Sequence, residues 1–455
     1  MESTKTESIN QQSRESWGSR FGFIMATAGF SIGLGNIWRF PYLVGMNGGG
    51  AFLLVYIVIC VLICIPLFLQ ELSLGRKSQL EPVTGMRKVS KKGSIWVLIG
   101  WFGSIAALLI MSYYIMLIGW IFAYFVKMVL GEFNGATAND IVNIYVNFTS
   151  NPLKVLMYII PPAIILGIIV TRGLQQGVEK ASKIMMPALF LMLGFLAIRS
   201  ITLPGAIEGL KWYLTPDISK INGSTILAAL GQAFFSVGIG MAAGFTYGSY
   251  LKPESDLPSD GITVIFFDTL IAFTAGLVIF PALFAFDISP EVGPSLIFKT
   301  MPYLFLHVPA GNFFGSLFFF LLVIAAFTTG MAYIETLSAT MSALWKIEKK
   351  KAVWILIVVI IILAIPSVLS QGPWSHILII NKDIFDFTDY ISGNIILTAG
   401  ALLLSIYTAK VWKFEGFREE TNIGAKKFMI PMWWKPFVVY LIPIAVAIIL
   451  ITGMF

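Results

Sequence analysis

Eleven stretches of this chain are each long and apolar enough to cross a bilayer whose hydrocarbon core is about 30 Å thick. They lie near residues 20–45, 50–75, 95–128, 153–171, 180–200, 225–250, 261–284, 311–345, 352–370, 388–412 and 434–454. Such a pattern leaves room for one broad class, an all-α integral membrane protein with eleven transmembrane helices. The balance of residues agrees: 57% are hydrophobic and 12% charged, where soluble domains carry about 25% charged residues. The opening residues are polar and charged and lack the apolar run of a cleavable signal peptide. Cys60 and Cys64 share one apolar span, which suits helix packing better than a disulfide or a metal site.

Basic residues set the expected orientation. With the N-terminus in the cytoplasm, 23 Lys and Arg residues fall on cytoplasmic segments and 7 on external ones, with Arg39 inside the first span. The positive-inside rule then places the N-terminus inside and, after eleven crossings, the C-terminus outside a cell membrane. This asymmetry accounts for the net charge of +7 and gives no reason to expect a nucleic-acid partner.

A short repeat interrupts two of the spans. Phe30-Ser31-Ile32-Gly33-Leu34-Gly35-Asn36 returns as Phe235-Ser236-Val237-Gly238-Ile239-Gly240-Met241. Glycine weakens a helix by about 1 kcal/mol relative to alanine. Free backbone groups at membrane depth survive only around a protein-lined cavity. The first copy runs inward to outward and the second outward to inward, as an inverted repeat of five plus five helices requires. The expected organisation is a tail over 1–19, repeats over 20–200 and 225–412, and an additional helix over 434–455.

Span one reads Gly33-Leu34-Gly35-Asn36-Ile37-Trp38-Arg39-Phe40-Pro41, followed by Asn47-Gly48-Gly49-Gly50-Ala51-Phe52. Further on stand Gln70-Glu71-Leu72-Ser73-Leu74-Gly75-Arg76, Tyr113-Tyr114, Gly231-Gln232-Ala233-Phe234-Phe235-Ser236 and Ala325-Ala326-Phe327-Thr328-Thr329. Over nearly its whole length the chain resembles the neurotransmitter:sodium symporter family, in its bacterial amino-acid branch with the LeuT fold. The resemblance implies sodium-coupled symport of an amino acid by alternating access, with two sodium ions (Na+) as coupling ions. It implies a first sodium site at the Ser31 carbonyl, Asn36, Ser236 and Asp268. A second site would use the carbonyls of Gly29, Ile32 and Ala325 and the hydroxyls of Thr328 and Thr329. Oxygen ligands suit such a hard cation. Taken alone, Thr328 and Thr329 also fit hydroxyls that bond back to their own helix.

Position 268 departs from the family's usual asparagine. A carboxylate at membrane depth costs roughly 2.5–3.5 kcal/mol on insertion scales and is a functional candidate by default. Chloride-dependent relatives use residues matching Tyr56, Gln232, Ser236, position 268 and a serine at 272, where this chain has Ala272. Asp268 is therefore expected to supply a fixed negative charge, to make transport chloride-independent and to be a candidate for proton exchange. Amine-carrying relatives have an aspartate where this chain has Gly33, so the substrate is expected to bring its own carboxylate. Its expected contacts are Gly33, Leu34, Gly35, Ile110, Tyr114, Phe235, Gly238, Met241, Thr329 and Tyr333, a lining that favours a hydrophobic or aromatic side chain.

For gating, the resemblance pairs Arg39 with Asp389 on the outer side, above a lid of Phe235 and Tyr114. N-capping of span ten is the plainer role for Asp389. Arg14 and Trp17 match an inner latch whose usual acidic partner is replaced by Ala343. Gly177 and Pro187 match a pattern that accompanies unwinding of span five, and an ordinary kink fits them equally. Glu71 and Glu335 are expected to brace span six and to share a proton. His307 and His376 are far apart and have no metal-ligand companions, so no enzyme is expected. The expected partners are an amino-acid substrate and the lipid bilayer, with the protein a monomer or weak homodimer. Short tails fit a bacterial inner-membrane protein. The alternative is a transporter-like amino-acid sensor or ligand-gated channel.

Overall fold

The computed structural model describes residues 15–290 and 297–454. Among them, nine helices are individually long and apolar enough to span a membrane. They are Gly50–Ser78 (span two), Ile95–Val129 (three), Pro152–Thr171 (four), Leu174–Ile201 (five), Leu257–Ala285 (seven), Gly311–Trp345 (eight), Lys349–Ser370 (nine), Ile384–Asn422 (ten) and Met432–Gly453 (eleven). Arg20–Ser31 and Gly35–Met46 meet at 51° and together make span one. Gly223–Val237 and Ala243–Gly248, each too short alone, make span six. The result is eleven spans, in two five-helix repeats that each begin with a broken helix, plus span eleven.

The two breaks have different local causes. Span one leaves the helix after Ser31, and its last carbonyls lose their intrahelical partners. The Gly33 N–H is taken by the Asn36 side chain at 3.2 Å, and the chain restarts in a wide turn over Gly35–Arg39. Span six breaks at Gly238 (φ +71°) and Gly240 (φ +81°). That left-handed conformation costs other L-residues roughly 1–2 kcal/mol and glycine almost nothing. Ala242 adopts it too, at φ +61°. The adjoining backbone is pinned by Glu71 of span two, whose carboxylate accepts from Gly240 N at 3.2 Å and Phe245 N at 3.4 Å. A carboxylate here also faces the positive N-terminal end of the second half-helix.

Burial separates the centre from the rim. In span eight 89% of the most apolar window is buried inside the protein and in span three 78%, against 22% in span eleven. Spans three and eight therefore wall the broken helices, while span eleven presents its side chains to lipid. Cys60 and Cys64 are free and buried.

Several boundaries move. Span five begins at Leu174 rather than 180, because a wide turn over Leu174–Glu179 continues the helix. Gly177 sits inside that turn and Pro187 inside the following helix, so the pair lies in one continuous span with no unwound segment. Span ten begins at Ile384, and its N-cap is Asp383, which accepts from Asp386 N at 2.8 Å. Asp389 thus lies within the span and does not start it. Glu71 and Glu335 make no hydrogen bond to each other. Glu71 takes backbone amides, whereas Glu335 takes the Tyr250 hydroxyl and the Lys349 ammonium.

Candidate ion and substrate site

The two breaks face one small cavity with free space of about 20 Å³. Gly33, Leu34 and Gly35 of span one line it, with Ile110 and Tyr114 of span three. Phe235, Gly238 and Met241 of span six and Thr329 and Tyr333 of span eight close it. All ten residues expected around a substrate are therefore together, and no side chain in the lining is charged. A methyl group on Gly33 would stand 2.6 Å from Thr329 Oγ1, so the bare backbone is what fits there. The Tyr114 hydroxyl is buried and lacks a well-formed hydrogen bond. Tyr333 donates to Met241 Sδ at 2.8 Å and packs edge-on against Phe30 and Tyr114, which gives the cavity an aromatic wall.

Beside this cavity four spans contribute to a knot around Asp268, which is fully buried. Asn36 Nδ2 donates to Asp268 Oδ1 at 2.8 Å, and Ser236 Oγ to the same oxygen at 3.0 Å. The Tyr56 hydroxyl reaches Oδ2 at 3.4 Å. Gln232 Nε2 donates to the Gly35 carbonyl at 2.8 Å, leaving its own Oε1 without a partner among the described residues. The Ser31 hydroxyl turns away, to the carbonyl of Val237 at 3.2 Å. Asp268 and Ser236 bring side-chain oxygens to this knot and Gln232 an orphaned acceptor, and such oxygens fit a small hard cation.

A second oxygen cluster joins spans one and eight. Thr329 Oγ1 donates to the carbonyls of Phe30 (3.1 Å) and Gly29 (3.4 Å), in the last turn of the first half-helix. Thr328 Oγ1 bonds back to the Ala325 carbonyl at 2.9 Å. One hydroxyl thus crosses to the break, and the other bonds back to its own helix. Ile32 caps the half-helix, its N–H donating to the Ala28 carbonyl.

Next to the small cavity lies a larger one of about 410 Å³, which shares Leu34, Gly35, Tyr114 and Phe235 with it. Phe235 and Tyr114 therefore stand between the two spaces. Arg39 and Asp389 both face the larger cavity but form no ion pair with each other. Arg39 lies over the Phe235 ring, 4.6 Å from its centre, and Asp389 accepts from the Tyr113 hydroxyl at 2.6 Å.

With this geometry established, comparisons decide the family. The profile described as the sodium:neurotransmitter symporter family matches residues 14–151 and 149–455. The chain belongs to the sodium:neurotransmitter symporter family. It is 36% identical to an uncharacterized sodium-dependent transporter of Haemophilus influenzae, over 98% of this chain and 99% of that one. A second relative, the uncharacterized sodium-dependent transporter YhdH of Bacillus subtilis, is 34% identical over 97% and 98%. The crystal structure of MhsT in complex with L-phenylalanine superposes with a TM-score of 0.89 at 37% identity, covering 97% of this chain and all (100%) of that one. The protein is a multi-pass membrane transporter and not an enzyme.

The opposite end of this symporter is closed by contacts that sequence reasoning mostly missed. We call it the inner face, in keeping with the charge asymmetry. Trp17 is buried there, donating from its indole to the Tyr247 carbonyl at 3.0 Å and packing on Phe23, Tyr247 and Tyr250. Arg14 lies outside the described residues. Arg20 pairs with Asp260 at 2.5 Å, and Lys349 bridges Glu335 (2.6 Å) and Glu15. Tyr250 donates to Glu335 at 2.7 Å. Glu335, two turns before Ala343 on span eight, thus receives the Lys349 ammonium. Asp260 carried a signal in the sequence, as a second acid on the span of Asp268. Its partner Arg20, 240 positions away, carried none.

Proposed function

We propose that the protein is a sodium-coupled symporter that carries an amino acid with a hydrophobic or aromatic side chain into the cell by alternating access. One observation carries this reading: the central cavity is bounded by two broken helices and has no charged side chain. A ligand there must meet backbone dipoles and bound cations, as a zwitterion does. Its carboxylate would meet the first sodium ion, the amides near Leu34 and Gly35, and the Tyr114 hydroxyl. Its ammonium would meet carbonyls of the broken segment of span six. Phe30, Ile110, Phe235, Met241 and Tyr333 would surround an apolar side chain, and MhsT's capture with L-phenylalanine supports that preference.

Two sodium ions would travel as co-substrates. Ser31, Asn36, Ser236 and Asp268 would hold the first, and Gly29, Ile32, Ala325, Thr328 and Thr329 the second. Asp268 would supply the fixed charge that makes chloride unnecessary. A tenfold gradient provides about 1.4 kcal/mol per ion and 100 mV about 2.3 kcal/mol per charge. Two ions then give about 7.4 kcal/mol, enough for about 10⁵-fold accumulation at tight coupling. Arg39, Phe235 and Asp389 would gate the outer path, Trp17 and the Arg20, Asp260, Glu335 and Lys349 contacts the inner one.

The test is uptake of labelled amino acids into proteoliposomes under an imposed sodium gradient, with each of the twenty amino acids as competitor. Concentrative uptake abolished by collapsing the gradient is expected. Ligand binding without concentrative uptake of any amino acid would instead identify a sensor.

A further inference from the structure

The inner end of span five carries a carboxylate that the gating contacts above leave unused. Glu179 closes the wide turn Leu174–Glu179 and is 2% exposed. Both of its oxygens engage the start of span one. Oε2 accepts from Gly18 N at 2.7 Å, and Oε1 accepts from Ser19 Oγ at 2.9 Å. Ser19 is itself the N-cap of span one, its hydroxyl accepting from Gly22 N at 3.0 Å. Lys183, one turn along span five, completes the set at 2.6 Å from Oε1.

The fit is close on the far side too. A methyl group on Gly22 would lie 2.1 Å from Glu179 Oε1. Span one carries no acid in its own first turn. A negative charge there is stabilising because the orphan N–H groups of a helix start gather positive potential. Span five provides that charge across the interface. The same turn also holds the segment before span one: Leu174 N donates to Glu15 Oε1 at 3.1 Å, and Gln175 Nε2 to the Ser16 carbonyl at 2.7 Å.

A wide turn is a single-turn irregularity found frequently at functional sites. It holds one residue more than an α-turn. Re-winding it to α shifts the register by one residue, which turns the backbone before it by about 100° relative to the backbone after it. The anchors at 174 and 175 lie at one end of the turn and Glu179 at the other. They cannot all keep their partners through such a change.

We propose that Glu179 is the positioning residue that couples the shape of span five to the inner half of span one. With the wide turn formed, the carboxylate caps span one, the segment from Glu15 to Ser19 stays docked and the inner face stays closed. When the turn changes, Gly18 and Ser19 lose the carboxylate together, and the first half-helix is released to swing. This coupling rests on the alternating-access reading proposed for the transporter.

The test uses the full-length protein in nanodiscs and proteoliposomes, with E179A, E179Q, G22A and the E179A/G22A double variant. Hydrogen–deuterium exchange is monitored by mass spectrometry over 15–31, 172–182 and, as a control, 311–345, alongside sodium-driven uptake. E179A is expected to raise exchange about tenfold in both inner segments, leave the control unchanged and weaken apparent external substrate affinity about tenfold. G22A should reproduce this by displacing the carboxylate, and should add nothing in the E179A background. E179Q, which keeps the shape and an acceptor but not the charge, should fall between. Exchange confined to 172–182, or additive effects of the two substitutions, would overturn the coupling. G22A and E179Q carry the test if E179A does not fold. Absence of uptake by the unaltered protein would remove the symport reading, while the exchange comparison would still judge Glu179.

Discussion

Replacing Asp268 by asparagine isolates the charge of the proposed first sodium site from its shape. Asparagine keeps the volume and an Oδ1 acceptor for Asn36, which now donates at 2.8 Å, and for Ser236 at 3.0 Å. Only the unit negative charge is lost, from a side chain with no solvent exposure. Two unit charges about 4 Å apart attract by about 4 kcal/mol at an effective dielectric constant of about 20. The asparagine dipole recovers part of this, so the net loss is set at about 1.4–4 kcal/mol, which is about ten- to a thousandfold in sodium affinity. The assay is a sodium titration of substrate uptake at constant ionic strength with choline as the replacement cation. Thermal unfolding verifies that the variant is folded. The midpoint should move up by at least tenfold, while substrate affinity at saturating sodium changes much less. A folded variant whose sodium midpoint stays within about threefold of the parent would refute the assignment of Asp268 to the ion. In the parent protein, gluconate in place of chloride should leave uptake kinetics unchanged, and strict chloride dependence would remove the fixed-charge argument.

The other expectations come from single contacts. Gly33→Ala places a methyl 2.6 Å from Thr329 Oγ1; such overlap in a close-packed site costs about 1–3 kcal/mol, so the melting temperature should fall by a few degrees while uptake by the folded protein falls by about a hundredfold or more. Tyr114→Phe removes a buried hydroxyl that lacks a well-formed bond in the protein; folding stability should hold or rise, while substrate affinity drops by about tenfold, the worth of one hydrogen bond to a charged group, in a binding titration. Glu71→Ala strips the acceptor from Gly240 N and Phe245 N; buried amides left unpaired cost about 1–3 kcal/mol each, so the melting temperature should fall by several degrees.

Much of the site was legible because it lies where backbone chemistry shows in residue type. Gly33, Gly35, Gly238 and Gly240 mark places where a helix cannot continue or a side chain cannot fit, and Thr328 and Thr329 are hydroxyls in an otherwise apolar run. The left-handed Ala242 was not legible, since alanine carries no sign of it and the pinning Glu71 is 171 positions away. The inner closure was hidden for the same reason. Arg20 and Lys349 each read as an ordinary charge near a helix end, Asp260 and Glu335 gave no sign of their partners, and only the packing of spans one, seven, eight and nine pairs them. Gly177 and Pro187 signal a weak helix but not what the weakness becomes, and here it is a wide turn that remains hydrogen-bonded. Asp389 looked like the start of span ten because the preceding residues, Asp383 to Asp386, are too polar to read as membrane helix.

Asp268, on span seven, takes the Asn36 side chain that steadies the break in span one, and Glu71, on span two, takes the amides at the break in span six. Each half of the molecule thus carries a clasp for the other half's open helix. During synthesis the break in the first half lacks its Asp268 clasp until span seven is inserted. The two halves made as separate polypeptides should therefore be short-lived alone and recover a stable fold only when co-produced. The acids sit on opposite partners and bind the halves into mutual dependence.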